Sequence, residues 1–97
     1  MHTLIADLFK ALGDPHRVTI MERLAKGETC GCTLIDQLPI SQPTLSYHLK
    51  ILHEAGLTNV TKEGTWKHYQ VNYEKIEALK TFLDHLKTLE GMDEFHE

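Results

Sequence analysis

Ser41-Gln42-Pro43-Thr44-Leu45-Ser46-Tyr47-His48-Leu49-Lys50-Ile51-Leu52 is the stretch on which the fold turns. A hydroxyl residue ahead of a proline in the first turn is a helix start, with Ser41 as the N-cap. Leu45, Leu49 and Leu52 stand at i, i+4 and i+7 and give one inward stripe. Gly56 ends the segment. Gln42, Pro43, Ser46, Tyr47 and Lys50 fall on the other side. They are mostly short and polar, so this helix can approach another surface closely. Gln pairs bidentately with adenine, and Ser, Thr and Tyr bond bases or phosphates. The free N–H groups of the first turn favour a phosphate. The candidate DNA contacts on this segment are Ser41, Gln42, Pro43, Thr44, Ser46, Tyr47, His48 and Lys50.

Upstream, Leu4, Ile5, Leu8, Phe9 and Leu12 predict a first helix closed by Gly13. Asp14-Pro15 opens a second, with Val18, Met21, Leu24 and Ala25 as its buried stripe and Gly27 as its stop. A short third helix is expected over about 31–38, with Leu34, Ile35 and Leu38 inward and Pro39 after it. Downstream the period changes to two. Thr58–Lys62 and Trp66–Val71 read as strands around a Lys62-Glu63-Gly64-Thr65 turn. Lys62 and Lys67, near the tip, are candidate backbone or minor-groove contacts. Trp66 and Tyr69 read as packing within the hairpin. Asn72 caps a last helix, where Ile76, Leu79, Leu83 and Leu86 form a seam spaced like a coiled coil.

Ninety-seven residues, 41% hydrophobic and 25% charged, fit one globular domain over 1–97. No apolar run approaches the roughly 18 residues of a membrane span. The N-terminus lacks the pattern of a secretory signal. Two cysteines one residue apart are badly placed for a bridge, and a cytoplasmic protein is expected. The net charge of −4 excludes a general polyanion binder. The acid is concentrated in 71–97, with three bases and seven acids, whereas 41–70 carries three lysines against two glutamates. That middle segment can face phosphate.

Two short helices followed by a two-stranded ribbon make a winged helix-turn-helix, mainly α with a small β-hairpin. Several motifs then resemble the ArsR/SmtB family of metal-responsive repressors. They are Leu12-Gly13-Asp14-Pro15-His16-Arg17, Gly27-Glu28-Thr29-Cys30-Gly31-Cys32, Ser41 through Lys50, Gly56-Leu57 and His68-Tyr69. The similarity spans about residues 8–72. It implies a homodimer joined through the first and last helices, in agreement with the apolar stripes at 4–12 and 76–86. It also implies a repressor bound to an inverted-repeat operator in double-stranded DNA and released by an inducer.

Cys30-Gly31-Cys32 carries the inducer chemistry. Inside a regular helix, residues i and i+2 point about 200° apart and cannot share a small ion. At a helix start, with Gly31 between them, the two sulfurs can converge. The helix N-terminus favours thiolate. Soft thiolates select trivalent arsenic or antimony, cadmium, lead or monovalent copper. The resemblance implies As(III) or Sb(III) as the inducer, because arsenic-sensing members carry Cys-x-Cys at this position. Some of those members have a third cysteine where this chain has Ile35, so a ligand from solvent or a small thiol would complete the site.

Two other inducer chemistries stand beside this one. Zinc-type sensors of the family place a site on the last helix. Asp84, His85, His96 and Glu97 offer ligands there, although Asp84 and His85 are adjacent rather than separated by one residue. A redox-responsive repressor would use the same two thiols through persulfide or mixed-disulfide chemistry. An enzyme is not expected: no His base is seen beside a cysteine, and no Cys-x-x-Cys is present.

Overall fold

The computed structural model describes residues 2–27, 34 and 38–92. Helices α1 (His2–Leu12), α2 (Pro15–Ala25) and α3 (Gln42–Glu54) precede an antiparallel hairpin, β1 (Thr58–Glu63) and β2 (Trp66–Val71). Helix α4 (Tyr73–Thr88) follows. Residue 34 is helical, but the rest of the helix expected over 31–38, except Leu38, lies outside the described residues. Cys30, Cys32 and Ile35 lie there too.

Side chains cap the starts of α2, α3 and α4 where the sequence predicts. The Asp14 carboxylate accepts from the backbone N–H of His16 at 2.8 Å and of Arg17 at 3.3 Å. Ser41 Oγ accepts from Thr44 N–H at 3.3 Å. Asn72 Oδ1 accepts from Glu74 N–H at 3.2 Å. Each bond satisfies a donor the helix itself leaves free. Asn72 does more: its amide donates to the Gly56 carbonyl at 2.9 Å, and its backbone N–H donates to Leu57 O at 2.9 Å. One residue thus ties the end of α3, the root of the hairpin and the start of α4. Gly56 stands at φ 89°, where a side chain would be strained.

One core joins these elements. Leu8 of α1, Ile20 of α2, Leu34, Leu52 of α3 and Leu57 are fully buried. Helix α1 packs on α2, α3 and α4, while the hairpin packs on α2 and α3. Truncating a fully buried leucine such as Leu52 to alanine would cost about 2–5 kcal/mol. The α2 stripe differs from the expected one. Ile20, Met21 and Leu24 are buried, and Val18 and Ala25 are exposed. A helix this short buries one narrow side, and Ile20 takes the place that Val18 would need on the opposite flank. The hairpin ladder runs one pair beyond expectation, to Glu63↔Trp66, so only Gly64 and Thr65 remain as turn residues. Gly64 supplies the positive φ of 62° that so tight a turn needs.

The stripes on α1 and α4 are only partly consumed by the core. Ile5, Leu8 and Ala11 turn inward from α1, and Leu79 from α4, with Ile76 and Phe82 half-buried. Leu4, Phe9, Leu83, Leu86, Leu89 and Met92 are exposed. Phe9 and Phe82 meet edge to face at 6.0 Å, which fixes α1 against α4.

Candidate nucleic-acid interface

The Ser41 cap and the buried Leu45–Leu49–Leu52 stripe fix how α3 rolls on the core. Ser41, Gln42, Pro43, Thr44, Ser46, Tyr47 and Lys50 are accordingly exposed together, as the sequence predicts. Beside them runs a cleft of about 570 Å³ between α3 and the hairpin. Ser46, Lys50 and His53 line one wall, and Lys62, Lys67 and Tyr69 the other. Lys62 and Lys67 are direct cross-strand partners, so both stand on the same hairpin face. Three lysines and no carboxylate line this cleft. In a chain of net charge −4, that is a local positive field suited to a phosphate strand.

His48 departs from the expectation that it faces DNA. It is 6% exposed and lies on the inner side of α3, at i+3 from Leu45. Arg17 Nη1 donates to His48 Nδ1 at 3.0 Å. Arginine has no acceptor, so the ring proton sits on Nε2. Arg17 Nε also donates to the Ala11 carbonyl at the end of α1. Arg17, to which the sequence reading gave no role, therefore joins α1, α2 and α3. The His16 ring packs 5.7 Å from that of His48. A signal for this network was present: Arg17 stands three residues before Ile20, on the side of α2 that turns inward.

Burial lowers the His48 pKa below 6.5, and the Arg17 and His16 charges lower it further against the opposing pull of Asp14. The imidazole is thus neutral at pH 7 and able to accept from Arg17. Partial desolvation would raise the Asp14 pKa, but the two backbone donors and the Arg17 charge outweigh it and hold the carboxyl below 3.8. The cap is ionised at neutral pH.

Trp66 also departs from expectation. It is 59% exposed at the hairpin tip, whereas Tyr69 is half-buried against the core. The alternation of β2 turns Tyr69 toward α3 and Trp66 to the opposite face.

The expected thiol ligands, Cys30 and Cys32, lie outside the described residues, as do His96 and Glu97. Asp84 and His85 are exposed on α4. Among the described residues, no three His, Cys, Asp or Glu side chains gather as a metal site. Nor is any described helix long and apolar enough to cross a membrane.

A capped helix with an exposed polar face, beside a lysine-lined hairpin, defines a winged helix-turn-helix of the DNA-reading class. The profile described as "Bacterial regulatory protein, arsR family" matches residues 14–60. An HTH-type transcriptional regulator of Methanocaldococcus jannaschii is 43% identical over 82 residues, covering 84% of this chain and 92% of that one. The arsenical resistance operon repressor of Staphylococcus xylosus is 37% identical over 84 residues, covering 87% and 81%. The homodimeric winged helix-turn-helix DNA-binding domain of a possible ArsR-family regulator from Mycobacterium bovis superposes with a TM-score of 0.71. That likeness is at 24% identity and covers 98% of this chain and 87% of that one. The chain belongs to the arsR family of DNA-binding transcriptional repressors.

Proposed function

We propose that this chain is a cytoplasmic, homodimeric repressor of an arsenical resistance operon, a single winged domain over 1–97 that leaves its operator when As(III) or Sb(III) binds Cys30 and Cys32. The observation that carries the inducer half concerns Leu34. It is fully buried in the same core as Leu45, Leu49 and Leu52 of α3 and stands two residues after Cys32. A strain set up at the thiols therefore enters the core beneath the reading helix. Similarity to arsenical resistance operon repressors supports the choice of ion.

The chemistry balances simply. Arsenous acid, As(OH)₃, condenses with two thiols to give (RS)₂As–OH and two waters, with no change of oxidation state. The remaining hydroxide can be exchanged for a small thiol. Ile35, at the position of a third cysteine in some relatives, supplies no sulfur.

On the DNA side, the α3 face enters the major groove of each half of an inverted repeat, while Lys50, Lys62 and Lys67 hold the adjacent backbone. Two reading helices must span half-sites about 34 Å apart. A small displacement of α3 in each subunit therefore weakens both contacts. The exposed Leu4, Phe9, Leu83 and Leu86 supply the dimer surface. Coupling between inducer and DNA is reciprocal, so operator DNA weakens inducer binding by the same factor.

The test is fluorescence anisotropy on a labelled fragment of the chain's own promoter, titrated with arsenite under reducing conditions. Release of the native protein, with Cys30→Ser and Cys32→Ser still bound, is the expected result. A native complex that survives arsenite but dissociates with zinc would move the inducer site to Asp84 and His85. Dissociation only by oxidants would make the thiols a redox sensor.

A further inference from the structure

Trp66 is the only tryptophan in the chain, and it is 59% exposed at the first position of β2. Core packing gives no reason for so large an apolar ring beside the Gly64-Thr65 turn. The exposed aliphatic side chains gather mainly on α1 and α4, and Tyr47 is exposed on α3, whereas the hairpin packs on α2 and α3. Trp66 is thus an isolated apolar projection in polar surroundings.

The hairpin register gives this projection a direction. Val60, Lys62, Lys67 and Tyr69 share one face and line the cleft against α3. Thr61, Glu63, Trp66 and His68 share the other. When Lys50, Lys62 and Lys67 hold a sugar–phosphate strand in that cleft, α3 lies in the major groove on one side of the strand. If the hairpin crosses that strand, its second face, with Trp66 at the tip, is the one turned away from the major groove. Glu63 is the cross-strand neighbour of Trp66, and its carboxylate lies 3.6 Å from His68 Nε2.

We propose that Trp66 enters the minor groove flanking each half-site and favours A·T pairs there. An apolar ring at a ribbon tip suits a narrow groove, where side chains of this kind act as wedges between base steps. The indole carries one N–H donor and no acceptor. A·T pairs present only acceptors in the minor groove, adenine N3 and thymine O2, whereas guanine adds an N2 amino donor. Indole N–H meets a partner on A·T and a competing donor on G·C. The hairpin therefore adds base preference outside the sequence read by α3. This inference rests on operator binding as proposed above.

The sole tryptophan makes the contact directly readable. Anisotropy of a labelled promoter duplex would establish binding, and tryptophan emission with an unlabelled duplex would report on Trp66 alone. The emission should change in step with binding, and acrylamide quenching should fall about threefold or more as a base or sugar covers the ring. Trp66→Ala, which opens no cavity, should weaken binding about tenfold, while Trp66→Tyr retains most of the affinity. Replacing flanking A·T pairs by G·C should weaken the native protein. Inosine·cytosine pairs, which lack the minor-groove amino group, should restore it, and Trp66→Ala should be indifferent to all three. Saturating anisotropy with unchanged tryptophan emission and quenching would overturn the inference and leave the operator reading intact. So would equal A·T preference in Trp66→Ala. A native protein that gives no anisotropy change would overturn the operator reading and this contact with it.

Discussion

The outer face of α3 and the outer face of the α1–α4 pair are both open to solvent, and they are made of opposite materials. Gln42, Thr44, Ser46 and Lys50 present hydrogen-bonding groups on short or flexible stems. Leu4, Phe9, Leu83 and Leu86 present hydrocarbon, with Leu83 and Leu86 49% and 47% exposed. The first surface loses little by staying wet and gains by meeting a polar, charged groove. The second gains only by meeting another apolar surface. A single small core thus separates two surfaces of different chemistry, a polar one suited to nucleic acid and an apolar one that is the proposed seat of a second copy of the chain.

The largest effect should come from converting one surface into the other. Leu83→Glu with Leu86→Glu would put two carboxylates into the proposed subunit contact. It should raise the dimer dissociation constant about a thousandfold or more, roughly 4 kcal/mol. Sedimentation equilibrium reads this directly, and a variant that remains dimeric at low micromolar concentration would place the contact elsewhere. Gln42→Ala tests the other surface. Loss of a bidentate base contact should weaken operator binding by about 1–3 kcal/mol and abolish discrimination at one base pair, with the melting temperature unchanged. Equal binding to operator and to operators altered at each position would remove Gln42 from the reading set.

Arg17→Met addresses the connection between the two surfaces. It strips the donors from His48 Nδ1 and from the Ala11 carbonyl. A loss of about 1–3 kcal/mol in urea unfolding is expected, with a melting temperature lower by several degrees. Unaltered stability would mean that water replaces the guanidinium without loss. Removal of the Ser41 hydroxyl is a smaller perturbation: Ser41→Ala should cost about 1 kcal/mol. Helix content and operator affinity should fall together, because the capped first turn also carries Gln42 and Thr44.

The pH dependence is the gentlest probe. Since the folded state holds the His48 pKa below 6.5, the unfolded chain binds more protons between that lowered value and 6.5. Stability therefore rises with pH across that window and falls on acidification through it. Asp14 has the same sign lower down: its contribution is present above 3.8 and is lost as pH falls through its depressed folded value. Urea unfolding at a series of pH values should show the upper slope in the native chain and a flatter one in His48→Gln. Equal slopes would assign the effect to other groups.

Local chemistry was legible in the sequence wherever a few adjacent residues decide the outcome. Asp14, Ser41 and Asn72 cap as expected because a cap needs only a side-chain acceptor and the next three residues. The hairpin was legible for the same reason, to within one ladder pair. His48, read as a packing or DNA-facing residue and counted with the DNA contacts, is buried because its spacing from Leu45 puts it on the buried stripe. Arg17 escaped notice because its partners, Ala11 and His48, come from two other helices. Trp66 was read as packing because a tryptophan is usually covered, but the register that turns Tyr69 inward necessarily turns Trp66 outward. The apolar seams of α1 and α4 were visible, while the division between core and free surface depended on how those two helices cross.

Asn72 sets a limit on how this sequence can drift. Its side-chain oxygen caps the start of α4, and its side-chain amide donates to the Gly56 carbonyl. Aspartate at this position would keep the acceptor and forfeit the donor. Serine would lack the reach to serve both ends, and glutamine would carry the acceptor too far from Glu74 N–H. Position 72 should therefore accept almost nothing but a short carboxamide. Among related chains built on the same joint, a change there would be accompanied by a compensating change at the end of α3.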